Sequence, residues 1–161
     1  MNIDHEYFMR EALKEAAKAR NQGDIPTGAV IVRDGKIVAR GYNEVATKFD
    51  IVAHAETGTI RKYVMETRQL NPGFQADSGP LKGCTLYVTC EPCPMCLWAT
   101  CISGISTLVV GARHAEVGIP FGKYTIEKLI ELTERKIKVV TGILSEECIK
   151  MRRSIGYIGP R

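Results

Sequence analysis

A chain of 161 residues suits one domain, residues 1–161, large enough to bury a core without disulfide staples. Its 45% hydrophobic and 25% charged residues are those of a soluble globular protein, no run approaches the ~20 apolar residues of a membrane span, and the opening Met1-Asn2-Ile3-Asp4-His5-Glu6 is too polar and acidic for an export signal. The net charge of +4 permits a nucleic-acid partner without arguing for one, and the expected setting is the cytoplasm, with no membrane partner.

Residues 4–22 carry Phe8, Ala12, Ala16 and Ala19 at helical spacing, with Asp4 as N-cap and Gly23 as terminator. Residues 28–33 and 36–40 alternate as two strands around Asp34-Gly35, a strong two-residue hairpin turn. A helix is expected over 55–67 and a loop over 71–83, where Pro72, Gly73, Gly79 and Pro80 interrupt a polar run. Residues 85–89 read as a strand. Pro92 is expected to open a helix reaching Ile102, since proline is tolerated in a first turn. A continuous apolar strand over 107–111, a helix over 125–134, a strand over 136–141 and a helix over 145–154 complete the series. This order predicts an α/β fold, a three-layer α-β-α sandwich on a five-stranded mixed sheet.

Six cysteines stand at 84, 90, 93, 96, 101 and 148. Without an export signal, such clustering points to metal or reactivity rather than a disulfide framework. Cys93 and Cys96 are three apart, so in a first helical turn their thiolates share one face, and a helix N-terminus favours the thiolate. A third ligand from His54 would give zinc three protein ligands and leave one position open, as catalytic zinc sites do. Glu56 lies two residues from His54; mid-helix the two side chains would diverge, but at a helix start both can reach one site. Alone, His54 is more often a surface or satisfied core histidine, and Cys-x-x-Cys suits structural zinc or redox chemistry as well. An all-cysteine site is disfavoured because Cys84 and Cys90 fall at opposite ends of one strand. Cys84, Cys101 and Cys148 read as buried small hydrophobes, and Cys90 as a pocket wall.

His-x-Glu followed downstream by Pro-Cys-x-x-Cys is the pattern of zinc deaminases. The chain resembles the cytidine/deoxycytidylate deaminase superfamily, on the branch of guanine deaminases, cytosine deaminases and tRNA adenosine deaminases. The likeness rests on Pro26 to Gly35, Gly41-Tyr42-Asn43, Ala53 to Glu56, Leu86 to Cys96 and Val109 to Arg113, in that order. It implies a cytidine deaminase-like fold, one zinc per chain on His54, Cys93 and Cys96, and Glu56 as the catalytic proton shuttle. It also implies base contacts from Asn43, from the backbone amides of Ala55 and Cys93, and from Glu91, whose other reading is a carboxylate favoured at a helix N-terminus. A homodimer with the metal helices near its interface follows from the same likeness.

The base itself is signalled less clearly. Cys90 to Leu97 looks like guanine deaminases, whereas Leu108 to Arg113 and Thr141 to Cys148 look like tRNA adenosine deaminases, with Lys150, Arg152, Arg153 and Arg161 offered to phosphates or left as a solvated basic end. Gly58, the long 71–83 loop and Trp98 depart from the tRNA enzymes. Trp98 would stack on a flat ring, pack at an interface or fill the core, and the tail would close as a lid through Tyr157 and Ile158 or fray. The sequence favours a small free base such as guanine or cytosine, or a related amino-heterocycle. The wobble adenosine of tRNA is the alternative, and a noncatalytic zinc-binding nucleic-acid module a third reading.

Overall fold

The computed structural model describes residues 4–68, 73, 75, 79–119 and 121–156. Helix α1 (His5–Asn21) starts where the Asp4 carboxylate accepts the Tyr7 backbone N–H at 2.9 Å. Strands β1 (Gly28–Arg33) and β2 (Lys36–Tyr42) form the expected hairpin, and Asp34 and Gly35 both take positive φ as its tight turn requires. After the short helix α2 (Val45–Lys48) come α3 (Ala55–Thr67), β3 (Thr85–Cys90), α4 (Pro94–Ile102) and β4 (Thr107–Ala112). The short α5 (His114–Val117), then α6 (Ile126–Thr133), β5 (Lys138–Thr141) and α7 (Ser145–Arg153) end the described chain.

The sheet runs β2-β1-β3-β4-β5. β1 is antiparallel to β2 and β3, while β3, β4 and β5 are mutually parallel. Alternate residues feed two cores. Ile31, Leu86, Val88, Leu108 and Val110 pack with Tyr63 of α3, Leu97 of α4 and Ile126 of α6. Val30, Tyr87 and Val109 pack on the other face with Phe8 and Met9 of α1 and Cys148 of α7. Burial on both faces explains why β3 and β4 read as unbroken apolar runs. The α-β-α sandwich on a mixed five-stranded sheet is therefore as expected.

Three local expectations change. The metal helix opens at Pro94, not Pro92: Cys93 is its N-cap and Pro94 its first residue. The short helices α2 and α5 carry too few apolar residues to leave a periodic signal. Trp98 does not fill the core; it is 42% exposed beneath the Arg135 guanidinium. Within 71–83, Leu81 is fully buried and Lys82 bridges to Ile105, so that end of the loop is anchored. Tyr157, Ile158 and Arg161 lie outside the described residues.

The topology puts the site at one edge. β3 and β4 are parallel, so their carboxyl ends open side by side, where open α/β sheets bind ligands. β1 is antiparallel to β3, so its first residue, Gly28, lies at the same edge and donates its N–H to Thr89 Oγ1 at 3.1 Å. Gly28 also pairs with Tyr42, which brings Asn43 to that edge.

Candidate active site

Two helix starts carry the metal ligands. His54 is the N-cap of α3 with extended backbone (φ −73°, ψ 160°), and Cys93 is the N-cap of α4 (φ −68°, ψ 169°). Because His54 is not yet helical, it and Glu56 can face one point although they are two residues apart. His54 Nδ1 lies 3.7 Å from Cys93 Sγ and 3.4 Å from Cys96 Sγ. The three ligand atoms all fall within 4.8 Å of one another. Zinc bonds of about 2.3 Å to sulfur and about 2.0 Å to nitrogen, at tetrahedral angles, put ligand atoms about 3.5 Å apart, so the donor set and its spacing fit that ion.

The electrostatics match. The hydrogen bond with Cys96 pulls the Cys93 thiol down to about 4, with His54 helping, against the cost of burial. Cys96, fully buried beside that thiolate, holds its proton. A bound dication would displace it, since metal ligation needs thiolates. The hydrogen bond to Cys93 raises His54. Burial raises the Glu56 carboxyl to about 7, and the Cys93 thiolate pushes the same way. Glu56 is 3% exposed and hydrogen-bonds toward Cys96.

Above this cluster lies a cavity of about 530 Å³. Asn43, His54, Glu56, Glu91 and Cys93 all line it, and Ala55, first residue of α3, is buried between the lining residues His54 and Glu56 in sequence. The first N–H groups of a helix have no intrahelical acceptor, so the amides of Ala55 and Cys93 are available to a ligand. Cys90 forms part of the wall, and burial raises its thiol to about 12. Glu91 serves a helix N-terminus, but that of α5 rather than of the metal helix: its Oε2 accepts the His114 N–H at 2.8 Å and lies 3.2 Å from Arg113 Nε. Tyr124 Oη donates to the Pro92 carbonyl at 2.7 Å, fastening the loop before Cys93.

Three wall residues were not anticipated at this place. His114 and Phe121 stack with ring centroids 4.6 Å apart. Only the resemblance around Val109 to Arg113 pointed near them, and it stopped one residue short. Arg152 also lines the cavity and is 5% exposed, so it is not part of a solvated basic helix end. Its neighbours do face outward: Lys150 is exposed, and Arg153 donates to the Glu116 carbonyl at 2.6 Å. Gly58 and Trp98 are not in this cavity. Gly58 fronts a separate groove of about 820 Å³ with Met65 and Met95, and a Cβ there would meet nothing within 4 Å.

A mixed α/β sandwich with a His-Cys-Cys cluster at two helix starts and a buried carboxylate beside it defines a zinc-dependent hydrolytic deaminase. The family model described as the cytidine and deoxycytidylate deaminase zinc-binding region matches residues 2–112, and the chain belongs to that family. It is 38% identical over 145 residues to a tRNA-specific adenosine deaminase of Bacillus subtilis (strain 168), covering 89% of this chain and 83% of the relative. A solved structure from work on A-to-I editing by tRNA:A34 deaminases at the wobble position superposes with a TM-score of 0.72 at 32% identity, covering 90% of this chain and 98% of the other. The guanine deaminase of Bacillus subtilis superposes with a TM-score of 0.58 at 34% identity, covering 83% and 92%. Membership of a family of zinc hydrolases acting on C–N bonds sets aside the noncatalytic module.

Proposed function

We propose that this enzyme deaminates adenosine at the wobble position of tRNA. The observation that carries the reading is the 38% identity, spread over 89% of the chain, to a tRNA-specific adenosine deaminase. This moves the preference from the free base, which the sequence alone favoured, to the polynucleotide substrate. The wobble base would be flipped out of the anticodon loop into the cavity, with Asn43, Glu91 and the amides of Ala55 and Cys93 holding its polar edges.

Bound at His54, Cys93 and Cys96, zinc supplies Lewis-acid activation of water. Glu56 does the proton work. Held near neutrality by burial, it can take one proton from the attacking water and give it to the ring nitrogen, then take the proton of the hydroxyl now on the carbon and give it to the leaving amine. Water's oxygen bonds to the amine-bearing carbon, the C–N bond breaks, and ammonia leaves.

A homodimer and a cytoplasmic setting belong to the same proposal. Among the described residues no helix is long and apolar enough to cross a membrane. Val52, Met65, Met95 and Trp98 leave an exposed apolar band suited to a second copy. A second reading, a free amino-heterocycle, is supported by the likeness to a guanine deaminase of Bacillus subtilis, at 34% identity and a TM-score of 0.58.

The test is ammonia release from anticodon stem-loops against guanine, cytosine, isocytosine and adenine. Turnover of the stem-loop, with binding that weakens steeply as salt rises, supports the tRNA reading. Turnover of free bases alone, insensitive to salt, overturns it in favour of the second.

A further inference from the structure

Asn43 is 4% exposed and lines the cavity, and among the described residues its side chain has one partner: Oδ1 accepts the Val45 backbone N–H at 3.2 Å. With the oxygen engaged, the amide NH2 is the end left to face the cavity. Val45 opens α2, whose N-cap Glu44 makes no side-chain cap. The next two N–H groups of that turn, on Ala46 and Thr47, donate instead to the Asp24 carboxylate at 3.3 and 2.9 Å. Thr47 Oγ1 adds a bond at 3.0 Å and the Ile25 N–H a fourth at 3.1 Å. No residue of α2 is buried, so apolar packing does not hold this turn against the wall. Asp24 does: it is 1% exposed, and its own N–H is fixed to the Ala19 carbonyl of α1 at 2.9 Å. Hydrogen bonds to a buried carboxylate are the strong kind. They join two stretches of one cavity wall, Ile25 and Thr27 on one side and Asn43, Val45 and Ile51 on the other.

We propose that Asp24 is a positioning residue for the substrate: by holding the first turn of α2 it keeps the Asn43 amide turned NH2-first into the cavity, where it donates to an acceptor on the bound base. Asp24 is not among the residues lining the cavity, so it acts through Asn43. Without its carboxylate the Ala46 and Thr47 N–H groups lose their acceptor, the turn loosens, and the Val45 N–H no longer pins the Asn43 oxygen. The amide then samples orientations that set its oxygen against the acceptor of the base. A misplaced binding contact costs the bound substrate and the transition state alike, so the mark of this role is a raised KM at little-changed kcat. The role rests on the reading of Asn43 as a base contact and holds for a wobble adenosine and a free base alike, since both carry unprotonated ring nitrogens.

Ammonia-release kinetics are measured on zinc-loaded protein with the best substrate among the anticodon stem-loop, guanine, cytosine, isocytosine and adenine. Affinity for that substrate is read in parallel by calorimetry in a Glu56→Gln background, so the comparison stands where turnover is slow. Asp24→Asn, nearly isosteric, sets an amide group against donors. It should raise KM about tenfold, the worth of one hydrogen bond, with kcat within about threefold and zinc retained. Asn43→Ala should raise KM by a similar factor, and adding Asp24→Asn to it should raise KM by less than about twofold more. Thr47→Val deletes one of the four bonds at an exposed position and should raise KM about two- to threefold; it decides alone should Asp24→Asn fail to fold. An unchanged KM in these variants, with only the melting temperature lowered, overturns the role and leaves Asp24 a structural cap. So does a full rise in KM that Asp24→Asn adds on top of Asn43→Ala, or a loss confined to kcat. An unchanged KM in Asn43→Ala removes the base contact and this role with it, and leaves the deaminase reading standing. Absence of ammonia from every substrate with the unmodified enzyme removes the deaminase reading itself.

Discussion

The Glu91 carboxylate accepts the His114 backbone N–H at 2.8 Å, joining the end of β3 to the first turn of α5 in the wall of the cavity. Arg113, which lies 3.2 Å from Glu91 and is held in turn by Glu127 at 2.9 Å, completes the link. Arg113→Ala should leave the buried carboxylate with one fewer charged partner and lower stability by about 1–3 kcal/mol. Denaturant unfolding measures the loss. A change below about 0.5 kcal/mol, the scale of an ordinary surface substitution, would remove Glu91 from the structural account.

Metal and fold are coupled at the two helix starts. Cys96 is fully buried between α3 and α4, 3.4 Å from His54 Nδ1. Chelation should lower the melting temperature, and Cys96→Ala should reduce zinc from one per chain to near zero. Metal analysis on the folded variant decides: full zinc content would exclude Cys96 as a ligand.

Glu56→Gln is nearly isosteric and keeps the three ligands. It should retain zinc while ammonia release falls by about 10²–10⁴-fold, the usual contribution of a positioned acid–base group. Activity within a few fold of the parent, at full metal content, would be incompatible with Glu56 as the proton carrier.

Asp24 gives the acid limb. Burial pushes its carboxyl up, but hydrogen bonds from the backbone of Thr47, Ala46 and Ile25 and from Thr47 Oγ1 outweigh that and hold it below the usual carboxylate range. A folded-state pKa below the unfolded value of about 3.9 contributes stability that is complete above it and fades as pH falls through the folded pKa. The stability gap between the parent protein and Asp24→Asn should therefore be widest near neutral pH and shrink below about pH 4. Melting curves against pH check the sign. A gap that grows with acid contradicts it.

Gly28 lets α1 lie directly on β1: a Cβ there would strike the Ala12 carbonyl and the Ala16 amide, both backbone atoms that cannot swing aside. Gly28→Ala should cost about 1–3 kcal/mol or more. The loss should appear in thermal unfolding with zinc content intact.

Long, strongly patterned elements were legible in the sequence: the spacing of Phe8, Ala12, Ala16 and Ala19, the Asp34-Gly35 turn, and the apolar runs of β3 and β4 fall where the structure has them. α2 and α5 were not, because four-residue helices carry no periodicity. Pro92 misled for a related reason. Two prolines flank Cys93, and only the backbone of the loop, held by Tyr124, decides that Pro94 takes the first helical position.

At the site, spacing and helix-start chemistry were enough to nominate Cys93 and Cys96, whereas His54 and Glu56 were nominated chiefly by the paired motif and the family resemblance it carries. The convergence itself is tertiary. His54 and Cys93 meet because α3 and α4 both begin at the edge where β3 and β4 end. The same packing turned Arg152 inward and left Trp98 at the surface, the reverse of what basicity and size alone suggest. A sequence fixes which groups are present along each helix face. Which face is buried, and against which strand end, depends on contacts between residues far apart in the chain, and those decide what the cavity can recognise.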